Sequence, residues 1–280
     1  MFDGFELLDV RGIRLRIGGA GEPVLLLHGH PQTHAMWHAV APALADDFTV
    51  IAADLPGYGG SAAAASGCKR DMATVLLSVM DELGFDRFAV IGHDRGGRCA
   101  YRLALEHPER VVALGVLDIV PTAEMWRRVD KEFGLIDWHW FFLAQPEPFP
   151  ERVISAAPDG FYFRGDRSRF HPPALADYLQ AAHNPTVIHW MCEDYRAGAT
   201  ADHEHDEADL ASGRRIQCPT LALWAGRDEL GRWFDVIDVW RRWADDITGR
   251  ALDCGHFLAE ERPEEVAAEV RAFLDRAGHR

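Results

Sequence analysis

The sequence lacks the features that would place the protein in a membrane or in an oxidising compartment. Its 280 residues contain no apolar run of the ~18 residues that a membrane helix needs. The opening segment, MFDGFELLDVRGIRLRIGG, carries acidic residues early and no long apolar stretch, so it is not typical of a signal peptide. The five cysteines are scattered and form no CxxC pair, which suits free thiols in a reducing compartment. We therefore expect a cytoplasmic protein.

Positive charge is also scarce. There are 29 Lys and Arg residues against 44 Asp and Glu residues, which gives a formal net charge of −15 at pH 7. An acidic protein of this kind binds nucleic acids and membrane surfaces poorly, so we expect neither as a partner. If the substrate is an anion, the overall field repels it, and local positive charge at the site must attract it.

The apolar segments indicate an α/β fold. FELLDVRGIRLRIGG alternates around a glycine and predicts an opening hairpin. Short runs that are apolar throughout, such as PVLLL, FTVIAA, FAVIG, VVALGVL and TLALWA, alternate with helical patterns. This order predicts a mostly parallel sheet flanked by helices on both faces. Between 122 and 213 such runs stop, while aromatic and proline residues cluster, so we expect a helical cap inserted into a core formed by 1–121 and 214–280.

The segment GHDRGGR is the first candidate for chemistry. It follows the apolar run FAVI and precedes a helical pattern, and it resembles the Gly-x-Ser-x-Gly nucleophile elbow with Asp94 at the serine position. A carboxylate that attacks an ester carbonyl gives a reactive anhydride, whereas attack on a saturated carbon gives a stable alkyl ester. A halide or an epoxide is therefore the expected substrate class. The alternative is that Asp94 only caps the following helix.

Cleavage of such an ester by water requires a general base and a group that orients it. His256, in DCGHFL, is the candidate base, because it follows a strand-like segment and precedes a helix. Two acids follow buried strands and could reach it: Asp118 in GVLDIVP and Asp228 in WAGRDEL. The residues alone leave this choice open.

Arg95 and Arg98 supply the positive charge that an anionic substrate would need. Three residues apart at a helix start, they can lie on the same side of the turn, beside Asp94. Two guanidinium groups there can hold a substrate carboxylate and fix the neighbouring carbon for attack. The alternative is that both pair with structural acids.

The chain resembles the α/β hydrolases over nearly its whole length, through HGHPQ, ADLPGYGGS, GHDRGGR and CGHF. Four segments, GHDRGGR, LDIVPT, WHWFF and CEDYRAG, more closely resemble haloacetate dehalogenases of the fluoroacetate type. The resemblance implies that Asp118 orients His256, and that Asp228 is a turn or capping residue. It also implies a halide site formed by His139, Trp140 and Tyr195, which would otherwise pass for aromatic packing within the cap. A homodimer is a further expectation from the same resemblance.

The resemblance also implies an oxyanion hole formed by the backbone N–H groups of His30 and Arg95. Position 30 is usually aromatic in the resembled enzymes, so the histidine makes the pocket more polar and bears on substrate preference. His28 and His93 flank turns, and we expect structural roles for them.

Three functions are therefore compared. The first is hydrolytic dehalogenation of short 2-haloacids, without cofactor or metal. The second is epoxide hydrolysis, with the cap tyrosines Tyr162, Tyr178 and Tyr195 as candidate acids; the arginine pair disfavours it, since a neutral epoxide has no carboxylate. The third is ligand binding without turnover, which the presence of a complete Asp–His–Asp set disfavours. DHEHDEADL, with His203, Glu204, His205 and Asp206, matches no common metal framework, so we expect a solvated edge of the cap there.

Overall fold

An eight-stranded sheet forms the centre of the protein, in the order β1-β2-β4-β3-β5-β6-β7-β8. The computed structural model describes residues 1–165 and 167–279. β1 and β2 form the predicted antiparallel hairpin, β2 pairs antiparallel with β4, and the pairs from β4 through β8 are parallel. The strands are β1 (Glu6–Val10), β2 (Ile13–Gly18), β3 (Pro23–Leu27), β4 (Thr49–Ala53), β5 (Phe88–His93), β6 (Val111–Leu117), β7 (Thr220–Ala225) and β8 (Ile247–Leu252).

Helices cover both faces of the sheet and fill the insertion between β6 and β7. Those of the core are α1 (Val40–Leu44), α2 (Lys69–Glu82), α3 (Arg95–Glu106), α12 (Leu230–Trp233), α13 (Val236–Arg241), α14 (Leu258–Glu261) and α15 (Pro263–Arg276), with a 3₁₀ helix at His34–Trp37. Those of the insertion are α4 (Thr122–Arg127), α5 (Lys131–Ile136), α6 (His139–Leu143), α7 (Phe149–Ala156), α8 (Pro158–Tyr162), α9 (Pro172–Ala182), α10 (Pro185–Gly198) and α11 (Ala201–Ser212), with a 3₁₀ turn at Arg167–Arg169.

The apolar strands are buried on both sides, as a covered parallel sheet requires. In β3, Leu25 and Leu27 belong to the apolar cluster beneath α2 and α3, while Val24 and Leu26 belong to the cluster beneath α1 and α15. Successive side chains of one strand therefore point to opposite faces of the sheet and pack into two separate apolar cores. The prediction of a mostly parallel sheet flanked by helices, with a helical insertion, is confirmed. Within the part of the chain described, no helix is long and apolar enough to cross a bilayer.

Charge pairs connect the inserted helices, here called the cap, to the core. Arg14 of β2 donates two hydrogen bonds to the Asp177 carboxylate, at 2.9 and 2.8 Å. Arg102 of α3 donates to Asp206 at 2.7 Å and also pairs with Asp209. Asp206, one of the acidic residues in DHEHDEADL, thus pairs with an arginine of the core. In each pair the base belongs to the core and the acid to the cap.

Candidate active site

Asp94 lies at the turn between β5 and α3 with a positive φ of 45° and a ψ of −116°. Non-glycine residues rarely adopt this region, and strain of this kind is concentrated at functional sites. The glycines on either side allow the turn: a Cβ on Gly92 would lie 2.4 Å from the Gly96 carbonyl oxygen, and one on Gly96 would lie 2.4 Å from that of His28. The Gly-x-Asp-x-Gly spacing therefore follows from close backbone packing around Asp94.

Strand pairing brings the candidate acid beside this turn. His93 of β5 pairs with Leu117 of β6, so Asp94 and Asp118 follow at the same level of neighbouring strands. Asp118 also has a positive φ, of 56°. Its Oδ1 accepts a hydrogen bond from the Ala225 N–H at 2.8 Å, and its Oδ2 lies 2.6 Å from Nδ1 of His256. An acceptor carboxylate at this distance holds the proton on Nδ1, which leaves Nε2 available as a base.

Asp228, the alternative acid, lies in the same cavity and forms a different contact. Its Oδ1 accepts a hydrogen bond from the Glu229 N–H at 3.0 Å. Ligand atoms of Asp118, Asp228 and His256 lie within 4.8 Å of one another. The structure thus places Asp118 on the imidazole Nδ1, and it places Asp228 close enough to add negative charge.

Electrostatics keep the nucleophile candidate ionised and the base candidate basic. Burial alone would raise the pKa of Asp94, but the charges of His256, His93, Arg95 and Arg98 hold that pKa below its usual range. Burial alone would lower the pKa of His256, but the hydrogen bond to Asp118 and the charges of Asp118 and Asp94 raise it to about 9. Each group thus stabilises the charged form of the other.

The backbone at His30 contacts the Asp94 carboxylate. The His30 N–H donates a hydrogen bond to Asp94 Oδ2 at 2.9 Å. This contact leaves Oδ1 as the oxygen available for attack, and the same N–H can stabilise negative charge on Oδ2 during ester hydrolysis. Arg95, the other expected backbone donor, begins α3 at the next position. Burial lowers the pKa of the His30 imidazole to about 3, so the ring is neutral.

His28 and His93, for which structural roles are expected, form hydrogen bonds with backbone groups. His28 contacts the Gly29 carbonyl and the Leu55 N–H, at 2.9 and 3.0 Å. His93 Nε2 lies 2.7 Å from the His256 carbonyl oxygen. The second contact ties the strand that precedes Asp94 to the loop that carries the candidate base.

Arg98 is a buried cation that lines the cavity beside Asp94. Its side chain is 2% exposed, and its Nη1 donates hydrogen bonds to the Val120 carbonyl and to Thr122 Oγ1, at 3.2 and 3.0 Å. Both of these acceptors are uncharged, and the buried Nε of Arg98 has no hydrogen-bond partner. Burial and the charge of Arg95 lower the pKa of Arg98, while the nearby Tyr101, Asp94 and Asp206 raise it. Among the described residues Arg98 donates no hydrogen bond to a carboxylate, and a bound carboxylate would accept one from its unpartnered Nε.

Arg95 differs from Arg98, because a cap residue already neutralises it. Its guanidinium pairs with the buried carboxylate of Asp194, which Lys69 also contacts. Cζ of its guanidinium lies 4.3 Å from the centroid of the Tyr195 ring, which is a cation–π distance. Pairing with a structural acid, the alternative considered for both arginines, is thus present at Arg95, and carboxylate binding by Arg95 and Arg98 stays a prediction. Nη1 of Arg95 is buried without a hydrogen-bond partner, and Arg95, unlike Arg98, is not among the described residues that line the cavity.

The three residues expected to bind halide lie together on the cap side of the cavity. His139 and Trp140 begin α6, and Tyr195 lies in α10. The ring centroid of Tyr195 is 5.7 Å from that of His139 and 6.0 Å from that of Trp140. Burial lowers the pKa of His139 to about 4, so its ring is neutral. An imidazole, an indole and a phenol thus place three possible donors in one region.

The cavity that joins these groups has a volume of about 330 Å³. Sequence reasoning missed three charged residues that line it: Asp137, Arg164 and Glu229. Burial raises the pKa of Asp137 to about 6, and the charge of Asp228 adds to this effect. Asp137 lies two residues before His139, so the segment DWHWFF held a signal for it. No motif marks Arg164 or Glu229.

One cluster outside this cavity has the side chains of a metal site. Ligand atoms of Cys68, Asp202 and His205 lie within 4.8 Å of one another. However, Lys69 Nζ lies 3.7 Å from Asp202 Oδ2, and Arg70 Nη1 lies 2.7 Å from His205 Nε2. These two positive charges repel a metal cation. The cluster therefore suits a seam between core and cap better than a metal centre.

Three features together define the class of capped α/β hydrolases. They are a candidate acid nucleophile at a strand–helix elbow, an acid–histidine pair on later loops and a helical cap. The sequence matches the alpha/beta hydrolase fold over residues 22–263. The chain belongs to the α/β-hydrolase family.

Three relatives show where in this family the chain lies. It is 42% identical to a fluoroacetate dehalogenase from Burkholderia sp., over 99% of this chain and 96% of that protein. It is 32% identical to a soluble epoxide hydrolase from Corynebacterium sp., over 95% of each. A solved structure from Nostoc sp. PCC 7120, described as an alpha/beta hydrolase, has a TM-score of 0.93 and 48% identity, and the match covers 98% of this chain and 99% of that one. Dehalogenases and epoxide hydrolases are thus both near relatives.

Proposed function

We propose that this protein hydrolyses the carbon–halogen bond of short 2-haloacids, and converts fluoroacetate or chloroacetate and water into glycolate and halide. The observation that carries the proposal is Arg98: a buried guanidinium in the cavity that Asp94 lines, whose hydrogen-bond acceptors are uncharged and whose Nε has no acceptor. A buried donor without an acceptor is costly, and a substrate carboxylate removes that cost. The similarity to the Burkholderia dehalogenase supports the same assignment.

The first step forms an ester. Arg98, with Nη1 of Arg95, holds the substrate carboxylate and so places the α-carbon beside Asp94. Asp94 Oδ1 attacks that carbon as the carbon–halogen bond breaks, and the halide leaves toward His139, Trp140 and Tyr195. Fluoride is a poor leaving group and a strong acceptor, so several short donors matter most for it.

The second step cleaves the ester at the enzyme's own carbonyl carbon. His256 Nε2 removes a proton from water, whose oxygen attacks Cγ of Asp94. Asp118 stabilises the imidazolium that forms, and the His30 N–H stabilises the charge on Oδ2. Collapse of this intermediate releases glycolate and restores the Asp94 carboxylate.

Labelled water tests the two-step route. In a single turnover with enzyme in excess, in ¹⁸O water, we expect the label in Asp94 and unlabelled glycolate. Asp94→Asn is the control variant and should release no halide at a steady rate. Direct entry of the label into glycolate, with none in the protein, would contradict a covalent route.

The substrate comparison tests recognition of the carboxylate. Haloacetamides have the same reactive carbon as haloacetates but no anionic end, so we expect them to be far worse substrates. Equal halide release from chloroacetate and chloroacetamide would remove the role proposed for Arg98.

The positions of the cap tyrosines bear on the alternative function, which is hydrolysis of neutral epoxides by a tyrosine pair. Tyr178 donates to Glu260 at 2.5 Å and does not line the cavity. Tyr162 lines the cavity, and its ring centroid is 5.2 Å from that of His30. Its hydroxyl is buried without a hydrogen-bond partner, and its pKa is raised by burial, then by Cys192 and Glu151. Tyr195 is the cap tyrosine whose pKa Asp94 affects.

A further inference from the structure

The groups opposite Asp94 suit an oxygen leaving group as well as a halide. An oxygen that leaves carbon needs a proton, whereas a halide needs only hydrogen bonds. Tyr195 carries a hydroxyl in the field of Asp94, and the neutral ring of His139 lies 5.7 Å from its own. Both groups line the cavity that Arg98 lines. The site thus combines a carboxylate-binding cation, a nucleophile candidate and a proton donor.

We propose that the same site hydrolyses oxiranecarboxylates, which are epoxides with a carboxylate on the ring carbon, such as glycidate. This second activity rests on the carboxylate recognition in the proposed function. A neutral epoxide leaves the buried Nε of Arg98 without an acceptor, whereas an oxiranecarboxylate supplies one. The carbon next to that carboxylate is then the one placed beside Asp94, as in a haloacid.

The chemistry balances with water as the only co-substrate. Asp94 Oδ1 forms a bond to C2 of the oxirane, the C2–O ring bond breaks, and its electron pair stays on the oxygen. That oxygen takes the hydroxyl proton of Tyr195 and becomes the C3 hydroxyl. Water, activated by His256, then cleaves the ester at Cγ of Asp94 and releases 2,3-dihydroxypropanoate. The proton removed from water returns through His256 to the Tyr195 phenolate. The second proton of that water passes to the C2 oxygen as it leaves Cγ, so the Asp94 carboxylate is restored and the net reaction is the addition of one water molecule.

The charges around Tyr195 favour proton release at the moment it is needed. Burial and then the charge of Asp94 raise the pKa of Tyr195, while Arg95 and Arg98 lower it. Attack consumes the Asp94 charge, so the pKa of Tyr195 falls as the ring opens. Arg95 stays 4.3 Å from the ring centroid, fixed by Asp194, and stabilises the phenolate that forms.

The experiment compares glycidate, glycidol and chloroacetate with the purified full-length protein. Dihydroxypropanoate is quantified by chromatography and chloride by an ion-selective electrode. We expect glycidate to be hydrolysed at least about 10²-fold faster than glycidol, because only glycidate has the anionic end. Tyr195→Phe should reduce glycidate turnover about 10²-fold or more, and chloroacetate turnover by a smaller factor, because chloride needs no proton. Tyr178→Phe is the matched control and should leave both activities unchanged.

The outcomes separate this inference from the proposed function. Chloride release without any dihydroxypropanoate would overturn the second activity and leave dehalogenation standing. Glycidol turnover as fast as that of glycidate would overturn the recognition argument. An equal loss of both activities in Tyr195→Phe would overturn its role as proton donor. Absence of chloride release from chloroacetate would overturn the proposed function, whatever the epoxides do.

Discussion

Exchanging each arginine beside Asp94 for methionine should separate activity from stability. Arg98 donates hydrogen bonds to uncharged acceptors, whereas Arg95 pairs with the buried Asp194 carboxylate. Arg98→Met therefore removes a cation that substrate must neutralise, and Arg95→Met removes a cation that the fold itself needs. Methionine retains much of the side-chain volume in both variants, so packing changes little.

The magnitudes follow from these partners. A hydrogen bond to a charged group contributes about 1.5–3 kcal/mol, so loss of two such bonds from Arg98 to a carboxylate lowers kcat/KM by about 10²- to 10⁴-fold. Arg98→Met leaves the Val120 carbonyl without its donor but also removes a desolvated charge. We therefore expect the free energy of unfolding to change by no more than about 1 kcal/mol. Arg95→Met leaves Asp194 buried with less compensation, and we expect a loss of about 3–5 kcal/mol.

Two measurements decide the matter: chloride release from chloroacetate, and the free energy of unfolding from urea titration. We expect Arg98→Met to be folded and nearly inactive, and Arg95→Met to be clearly destabilised. If Arg98→Met retained kcat/KM within about tenfold of the wild type, the proposed carboxylate site would be wrong. If it lost as much stability as Arg95→Met, its charge would have a structural partner instead.

Three further predictions concern the hydrolytic step. His256→Gln should accumulate an alkyl ester on Asp94, visible as a mass increase in the intact protein, and inactivity without any adduct would argue against the two-step route. Alkylation removes the Asp94 charge that helps to raise the pKa of His256 to about 9. The rate of ester hydrolysis, measured by rapid-mixing kinetics, should therefore rise with pH and level off at an apparent pKa below that value. An apparent pKa above 9 would be inconsistent with this coupling. Asp118→Asn should slow ester hydrolysis by about 10²-fold or more, whereas Asp228→Asn should slow it much less, because Asp118 holds Nδ1; the reverse order in single-turnover rates would make Asp228 the orienting acid.

The sequence predicts the fold well, because local patterns carry its main determinants. The opening hairpin, the fully apolar strands and the closing helix each follow from periodicity within a short segment. The ties between core and cap do not follow in this way, because each joins residues far apart in the chain. Lys69 and Asp194, for example, are 125 residues apart, and no periodic pattern relates them.

In the candidate site, too, local features follow from the sequence and contacts between distant residues do not. The Asp94 turn is local, so its glycines predict it. The choice between Asp118 and Asp228 depends on which carboxylate reaches an imidazole 138 residues after Asp118, and only the folded chain shows that. Likewise, spacing brings Arg95 and Arg98 to one helix turn, but it does not reveal that Asp194, 99 residues after Arg95, takes that guanidinium.

The ion pairs between basic residues of the core and acidic residues of the cap oppose a hinge motion of the cap. To swing away, it would have to break the contacts of Arg14, Lys69, Arg95 and Arg102 together, several of them shielded from water. Substrate should therefore enter, and product leave, through gaps between side chains at the rim of the cavity. The same ties constrain protein engineering, because a cap grafted from a relative will seat on this core only if it carries carboxylates at the matching places.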